Sequence, residues 1–109
     1  MKVAVPSQGA DICAHFGHCE SFTIAEVEEG KVISKQTLKA PPHEPGLLPR
    51  LLAGEGVNVV ITGGMGARAQ DLFAQQDIQV ITGAGGSIDQ ALAAFIKGNL
   101  QTGPNACDH

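Results

Sequence analysis

Apolar positions along the chain form short alternating or continuous runs that predict strands, followed by two helical stripes. A first apolar strand is predicted at residues 2–6, closed by Pro6. Residues 21–27 and 31–38 flank a Glu29-Gly30 turn, and their pattern predicts a β-hairpin with one polar face. We expect this hairpin to lie at an edge of a sheet.

The second half of the chain contains a weak repeat of a buried strand, a glycine-rich turn and a helix. Residues 59–66 (Val-Val-Ile-Thr-Gly-Gly-Met-Gly) are echoed at 79–86 (Gln-Val-Ile-Thr-Gly-Ala-Gly-Gly). Such units are typical of parallel strands joined by crossover helices. Before the last helix Ser87 and Gln90 match a capping box, and Gly98 is suited to the helix end.

Together these patterns predict an α/β fold with a five-stranded mixed sheet and three helices. The first helix is predicted at residues 47–54, with Pro49 in its first turn. The first, fourth and fifth predicted strands should be parallel and central, with the hairpin antiparallel on one side. Residues 1–102 form one domain in this prediction, and residues 103–109 a flexible tail.

Composition and charge exclude several classes of protein. The chain of 109 residues is 43% hydrophobic and 17% charged, which argues against disorder. Its net charge of −4, without a basic run, gives no electrostatic footprint for nucleic acid. No apolar stretch approaches a membrane span and no signal peptide precedes the first strand, so we expect a cytoplasmic protein.

Two thiols and two imidazoles lie within seven residues, in a loop predicted from residue 7 to residue 19. Thiolate and imidazole ligands suit zinc, copper and iron–sulfur-type clusters better than magnesium or calcium. With the Cys-Asp-His end of the chain, the candidate metal ligands are Cys13, His15, His18, Cys19, Cys107 and His109. In a cytoplasmic protein, three cysteines favour free thiols or ligands over structural disulfides.

Other interpretations of these residues stay open. The cysteines could be inert buried groups, because their spacing does not match the paired cysteines of structural zinc sites. Residues 64–69 match a relaxed dinucleotide-binding fingerprint, but Thr82-Gly83 stands where the supporting acidic residue should end the next strand. His43, in a proline-rich connector, is either a solvated histidine or a group that faces a pocket.

Several segments together resemble the nitrogenase iron–molybdenum cofactor biosynthesis family. They are the opening strand, His15-Phe16-Gly17 before Phe22, residues 60–69, residues 83–87 with the following helix, and Gly98-Asn99-Leu100. The resemblance covers roughly residues 1–102. It implies a ribonuclease-H-like three-layer α/β fold without nuclease activity, and a non-catalytic role in binding and passing on a metal–sulfur cluster.

The resemblance also suggests cargo and partners. The cluster would be iron–molybdenum cofactor-like or molybdenum–copper-like, received from donor proteins and delivered to acceptor proteins of metallocofactor assembly. Its pocket would be lined by the 7–19 loop and by Gly63, Gly64, Gly66, Gly85, Gly86 and His43. Many members have an Arg where His18-Cys19 stands here, and the cysteines and the tail are not part of the family pattern.

Two further hypotheses come from other classes of function. The chain could be a redox-sensing or regulatory module that binds a partner protein through the hairpin edge, with Cys13–Cys19 or loop–tail disulfides forming on oxidation. It could also be a nucleotide-binding enzyme, which would show nucleotide-dependent stabilisation.

Overall fold

The computed structural model of the chain describes residues 1–13, 19–39 and 47–100. The elements in chain order are β1 (Lys2–Gln8), β2 (Asp11–Ile12), β3 (Ser21–Glu28), β4 (Lys31–Lys39), α1 (Leu47–Gly54), β5 (Val59–Ile61), α2 (Ala67–Gln75), β6 (Gln79–Ile81) and α3 (Ile88–Lys97). None of the helices in these ranges is both long and apolar enough to cross a membrane.

The strands form one mixed sheet in the order β4-β3-β1-β5-β6, with β2 paired to the end of β1. β1, β5 and β6 are parallel, while β3 runs antiparallel to both β1 and β4. The predicted α/β fold with three helices and a mixed sheet is confirmed. The short β2 adds a sixth strand to the five that were predicted.

The sheet is covered on both faces, which produces three layers. Alternating side chains of β1 enter two separate cores: Val3 and Val5 pack in the core with α3, whereas Ala4 packs with α1 and α2. The largest fully buried side chains include Phe73 of α2 and Leu92 of α3. Burial of apolar side chains on both faces explains why β5 and residues 3–5 of β1 are continuously hydrophobic.

α3 begins and ends as its sequence predicts. The Oγ atom of Ser87 accepts a hydrogen bond from the N–H of Gln90, and Gly98 ends the helix in the left-handed conformation at φ 77°. Ile88 and Leu92 are buried, with Phe95 packed against the same core. The helix is therefore specified locally at both termini and along its apolar stripe.

The structure corrects the predicted end of β1 and the predicted long loop after it. β1 continues through Pro6 to Gln8, because Pro6 pairs with Phe22 of β3 and the ladder with β5 extends only to Ala4. The missing N–H of Pro6 therefore interrupts no parallel ladder. Ser7 is tolerated in a buried position because its hydroxyl lies 2.9 Å from the hydroxyl of Ser21.

The hairpin lies at one edge of the sheet, as predicted, but its two strands differ in environment. β4 is exposed along almost its whole length, whereas β3 contributes Phe22 and Ile24 to one core and Ala25 and Val27 to the other. The polar face that was predicted for the hairpin as a whole is therefore a property of β4. β3 is buried because β1 and both helical layers surround it.

Candidate functional site

The carboxyl ends of β5 and β6 lead into two glycine-rich turns at one edge of the sheet, where ligands bind in open α/β folds. We call residues 62–66 turn A and residues 82–87 turn B. The N–H of Gly83 donates to the carbonyl of Gly63 at 2.9 Å, and the N–H of Ala84 donates to the carbonyl of Thr62 at 3.2 Å. These hydrogen bonds join the two turns into one unit.

In turn A, four consecutive carbonyl groups each accept a hydrogen bond from within the protein. Besides those of Thr62 and Gly63, the carbonyl of Gly64 accepts from Oγ1 of Thr62 at 3.4 Å. The carbonyl of Met65 accepts from Nε2 of Gln70 at 2.9 Å. The N–H of Thr62 donates to the carbonyl of Ile81, so the backbone groups of turn A that we consider for a ligand are the N–H groups of Gly63, Gly64 and Gly66.

The start of α2 has no side-chain cap. Gly66 occupies the N-cap position (φ −65°, ψ 155°), makes no side-chain cap, and is followed by a first turn without an acidic residue. Within the described ranges we find no backbone acceptor for the N–H groups of Gly63, Gly64 and Gly66. Arg68 is exposed in the same helical turn. Successive N–H groups at a helix start attract negative charge.

The segment that leads to Cys13 is anchored to turn B. The N–H of Ile12 donates to the carbonyl of Gly86 at 2.9 Å, and the N–H of Ile88 donates to the carbonyl of Ala10 at 3.0 Å. Cys13 itself is 5% exposed. The two-residue strand β2 thereby brings the first cysteine to the edge of the sheet that carries both turns.

Cys13 and Cys19 are joined by a disulfide, with their Cα atoms 5.9 Å apart. The expectation of free thiols is therefore wrong for this form of the protein. That expectation rested on the cysteine count and the compartment, whereas the fold holds the two residues within bridging distance. A disulfide sulfur lacks the charge of a thiolate, so coordination by these residues requires reduction.

The structure brings together the predicted glycines but describes only part of the predicted ligand set. Both turns lie at one edge and contain Gly63, Gly64, Gly66, Gly85 and Gly86. The remaining candidates lie outside the described residues: His15, His18, His43, Cys107 and His109. Within residues 1–13, 19–39 and 47–100 no group of three or more His, Cys, Asp or Glu side chains could hold a metal. All of these site assignments stay predictions.

A sequence profile described as dinitrogenase iron–molybdenum cofactor matches residues 1–98. The chain belongs to this family. The matched range contains every element described above, both turns and both cysteines of the disulfide. The family resemblance found in the sequence is confirmed, and membership indicates a role related to a metallocofactor.

Individual proteins match this chain along nearly their whole length. The chain is 34% identical to the uncharacterized protein MJ0580 of Methanocaldococcus jannaschii, over 93% of this chain and 90% of that protein. Its fold matches the crystal structure of PH0822 with a TM-score of 0.92 and 30% identity, over 100% of both chains. The apo orange protein of Desulfovibrio gigas matches with a TM-score of 0.76 and 21% identity, over 95% of this chain and 93% of that one.

Sequence reasoning about the family motif did not identify Thr62 and Gln70 as residues of the site. Their side chains hold the carbonyl groups of Gly64 and Met65 and so determine which backbone groups turn A presents. A threonine directly after the strand in both repeats was the available signal. Gln70 had none, because its partner depends on how α2 is oriented relative to turn A.

Proposed function

We propose that the chain binds a metal–sulfur cluster non-catalytically and passes it to another protein during metallocofactor assembly in the cytoplasm. The cargo is iron–molybdenum cofactor-like or molybdenum–copper-like. Cluster donor and acceptor proteins are the partners. The observation that carries this proposal is turn A, in which four carbonyl groups are engaged beside an uncapped helix start.

The chemistry of turn A suits an anionic cluster. Sulfide ligands of such a cluster accept hydrogen bonds, and the N–H groups of Gly63, Gly64 and Gly66 are the donors that turn A would supply, with Gly66 at the positive end of α2. Arg68 adds a positive charge to the same helical turn. Backbone donors bind without forming covalent bonds to the metal, which favours release to an acceptor protein.

Thiolate ligands would come from Cys13 and Cys19 once their disulfide is reduced. A dithiol reductant supplies two electrons and two protons, the S–S bond breaks, and the reductant leaves as its own disulfide. Deprotonation then gives two thiolates beside the glycine turns. The proposed metal ligands outside the described residues are His15, His18, Cys107 and His109, and His43 is proposed to line the pocket.

The test is anaerobic loading of the reduced chain with tetrathiomolybdate and copper(I), followed by gel filtration, elemental analysis and a visible spectrum. We expect molybdenum, copper and sulfide to elute with the wild-type protein. The Cys13→Ser/Cys19→Ser variant should lose most of the cluster, and Cys107→Ser measures the contribution of the third cysteine. Full retention of the cluster by the double variant would refute the thiolate assignment. The carrier function would be refuted if wild type took up neither this cluster nor isolated iron–molybdenum cofactor.

A second candidate function is thiol-based redox sensing, and the Cys13–Cys19 disulfide favours it. Disulfides in a reducing compartment are usually transient or regulatory. A sensor would form this disulfide reversibly on addition of oxidant and would bind its partner protein in only one redox state, without metal. A carrier requires bound metal and sulfide. Mass spectrometry of alkylated cysteines, run beside the elemental analysis, separates the two functions.

A further inference from the structure

A groove of about 530 Å³ lies between the hairpin and α3, away from the residues of turns A and B. Its apolar surface includes Val32, Leu92 and Ile96. Three lysines line it, Lys31, Lys35 and Lys97, against a single acidic residue, Asp89. The groove therefore combines an apolar floor with an excess of positive charge, in a chain whose net charge is −4.

β4 forms one wall of this groove and is the edge strand of the sheet. Among the described residues it pairs only with β3, so its other side presents backbone N–H and C=O groups to solvent. Val32 is 36% exposed and Ile33 is 54% exposed. Exposed aliphatic side chains on an edge strand are a feature of interaction surfaces.

The charge of β4 selects among its possible partners. The strand carries three lysines, at positions 31, 35 and 39, and no acidic residue. Antiparallel pairing with β4 of a second copy would bring lysines of both chains onto one small sheet, where like charges repel. Lysines on an edge strand thus oppose self-association but attract a strand of opposite charge.

The contact made by Lys35 identifies the face of β4 that borders the groove. Its Nζ atom contacts Oδ1 of Asp89 on α3 at 2.6 Å, so Lys35 faces the groove, and Lys39, four residues further along a strand, shares that face. The two side chains of this ion pair are 45% and 76% exposed. An exposed pair contributes little stability, so a carboxylate from a partner can replace Asp89 at small cost.

From the edge, the groove and the charge we propose that β4 binds an extended acidic segment of a partner protein. The segment adds to the sheet as a further strand, with carboxylates beside Lys35 and Lys39 and an aliphatic side chain in the groove next to Val32. Backbone hydrogen bonds to β4 provide affinity, and the lysines provide selectivity for acidic sequences. This inference does not depend on the cluster-binding proposal.

The probe is a blocked, fluorescein-labelled peptide, Thr-Glu-Thr-Val-Thr-Glu-Thr-Ile, in which alternate residues place both carboxylates and both aliphatic groups on one face. Fluorescence anisotropy measures its binding to the full chain. Replacing both Glu by Gln should weaken binding by about twofold to thirtyfold, since two exposed ion pairs are lost. Two further versions of the peptide carry N-methyl groups at alternate amides, one version in each of the two possible registers. Only the version whose methylated amides face β4 should lose binding.

Variants of the chain localise the interaction. Lys35→Gln and Lys39→Gln should each weaken peptide binding by about 1.5-fold to fivefold. Gln36→Glu is the matched control, because it makes the same change in net charge on the opposite face of the same strand and should reduce binding less. Amide chemical shifts measured by NMR should change along β4 when the Glu peptide binds.

Four outcomes would overturn the proposal. The first is equal binding of the Glu and Gln peptides, and the second is loss of binding in neither or in both N-methylated registers. The third is self-association of the chain through β4. Sedimentation would detect it as a dimer, and the dimer would be more stable in the Lys35→Gln variant. Absence of peptide binding with wild type, in a sample whose NMR spectrum shows a folded chain, also counts against it.

Discussion

The hydroxyl of Ser87 accepts a hydrogen bond from the N–H of Gln90 at 3.1 Å and thereby caps α3. The equivalent position of α2 is Gly66, which has no side chain and leaves the helix start uncapped. The two strand–turn–helix units thus have similar sequences but different chemistry at the turn. A side chain of the protein caps the start of α3, whereas no side chain caps the start of α2, where we propose that an anionic ligand binds.

Ser87→Ala should lower the free energy of unfolding by about 1 kcal/mol, because an N-cap hydrogen bond is lost at α3. Urea denaturation followed by far-UV circular dichroism measures the change. Ser87→Thr keeps a hydroxyl acceptor and should recover most of the loss. If Ser87→Ala and Ser87→Thr were equally destabilised, the cap would not be the source of the effect.

Gly66→Asp should stabilise the chain and weaken cluster binding. The backbone at Gly66 is extended, and an added Cβ meets no heavy atom within 4 Å, so the substitution fits without strain. A carboxylate at this position caps α2 and opposes an anion, with an expected gain of about 0.3–1 kcal/mol in stability. Urea denaturation and the thiomolybdate–copper loading assay measure the two effects.

Two matched variants separate the cap from the charge. Gly66→Asn caps α2 without adding charge and should reduce cluster retention less than Gly66→Asp. Gly66→Ala adds a Cβ without a cap, so retention should stay near wild type while stability falls slightly. Retention by Gly66→Asp at the wild-type level would show that the start of α2 does not contact the cluster.

Gln70→Leu should destabilise the chain by about 0.5–1.5 kcal/mol, because the part-buried carbonyl of Met65 loses its side-chain donor. Gln70→Glu loses the same donor and adds a carboxylate next to a carbonyl oxygen. Both variants should retain less cluster than wild type, with the lower value for Gln70→Glu. If the Gln70→Leu chain is measurably destabilised but retains as much cluster as wild type, the geometry of turn A does not determine cluster binding.

Reduction of the Cys13–Cys19 disulfide should lower the free energy of unfolding by about 2 kcal/mol, as the chain-entropy relation gives for a sequence separation of 6. Urea denaturation with and without dithiothreitol measures the change. The Cys13→Ser/Cys19→Ser variant should behave like the reduced wild type in both conditions. A dithiothreitol effect that persists in this variant would assign the loss of stability to another thiol.

Local patterns in the sequence predicted much of the fold and only the composition of the site. The strand–turn–helix repeats, the capped α3 and the hairpin each depend on neighbours within a few residues. β2 has no comparable signal, because two residues cannot display periodicity. Its position depends on two hydrogen bonds, from the N–H of Ile12 to the carbonyl of Gly86 and from the N–H of Ile88 to the carbonyl of Ala10, which join segments more than seventy residues apart along the chain.

The amino-acid sequence by itself determined the α/β class, the family and the residue types that gather at the candidate site. Hydrophobic periodicity and turn chemistry act over short distances, so these features can be deduced without coordinates. Only the tertiary structure decided that Cys13 pairs with Cys19, that Thr62 and Gln70 engage the carbonyl groups of turn A, and that Lys35 of β4 meets Asp89 of α3 across a groove. Each of these depends on packing between distant elements, and the geometry of packed elements is not encoded in local patterns.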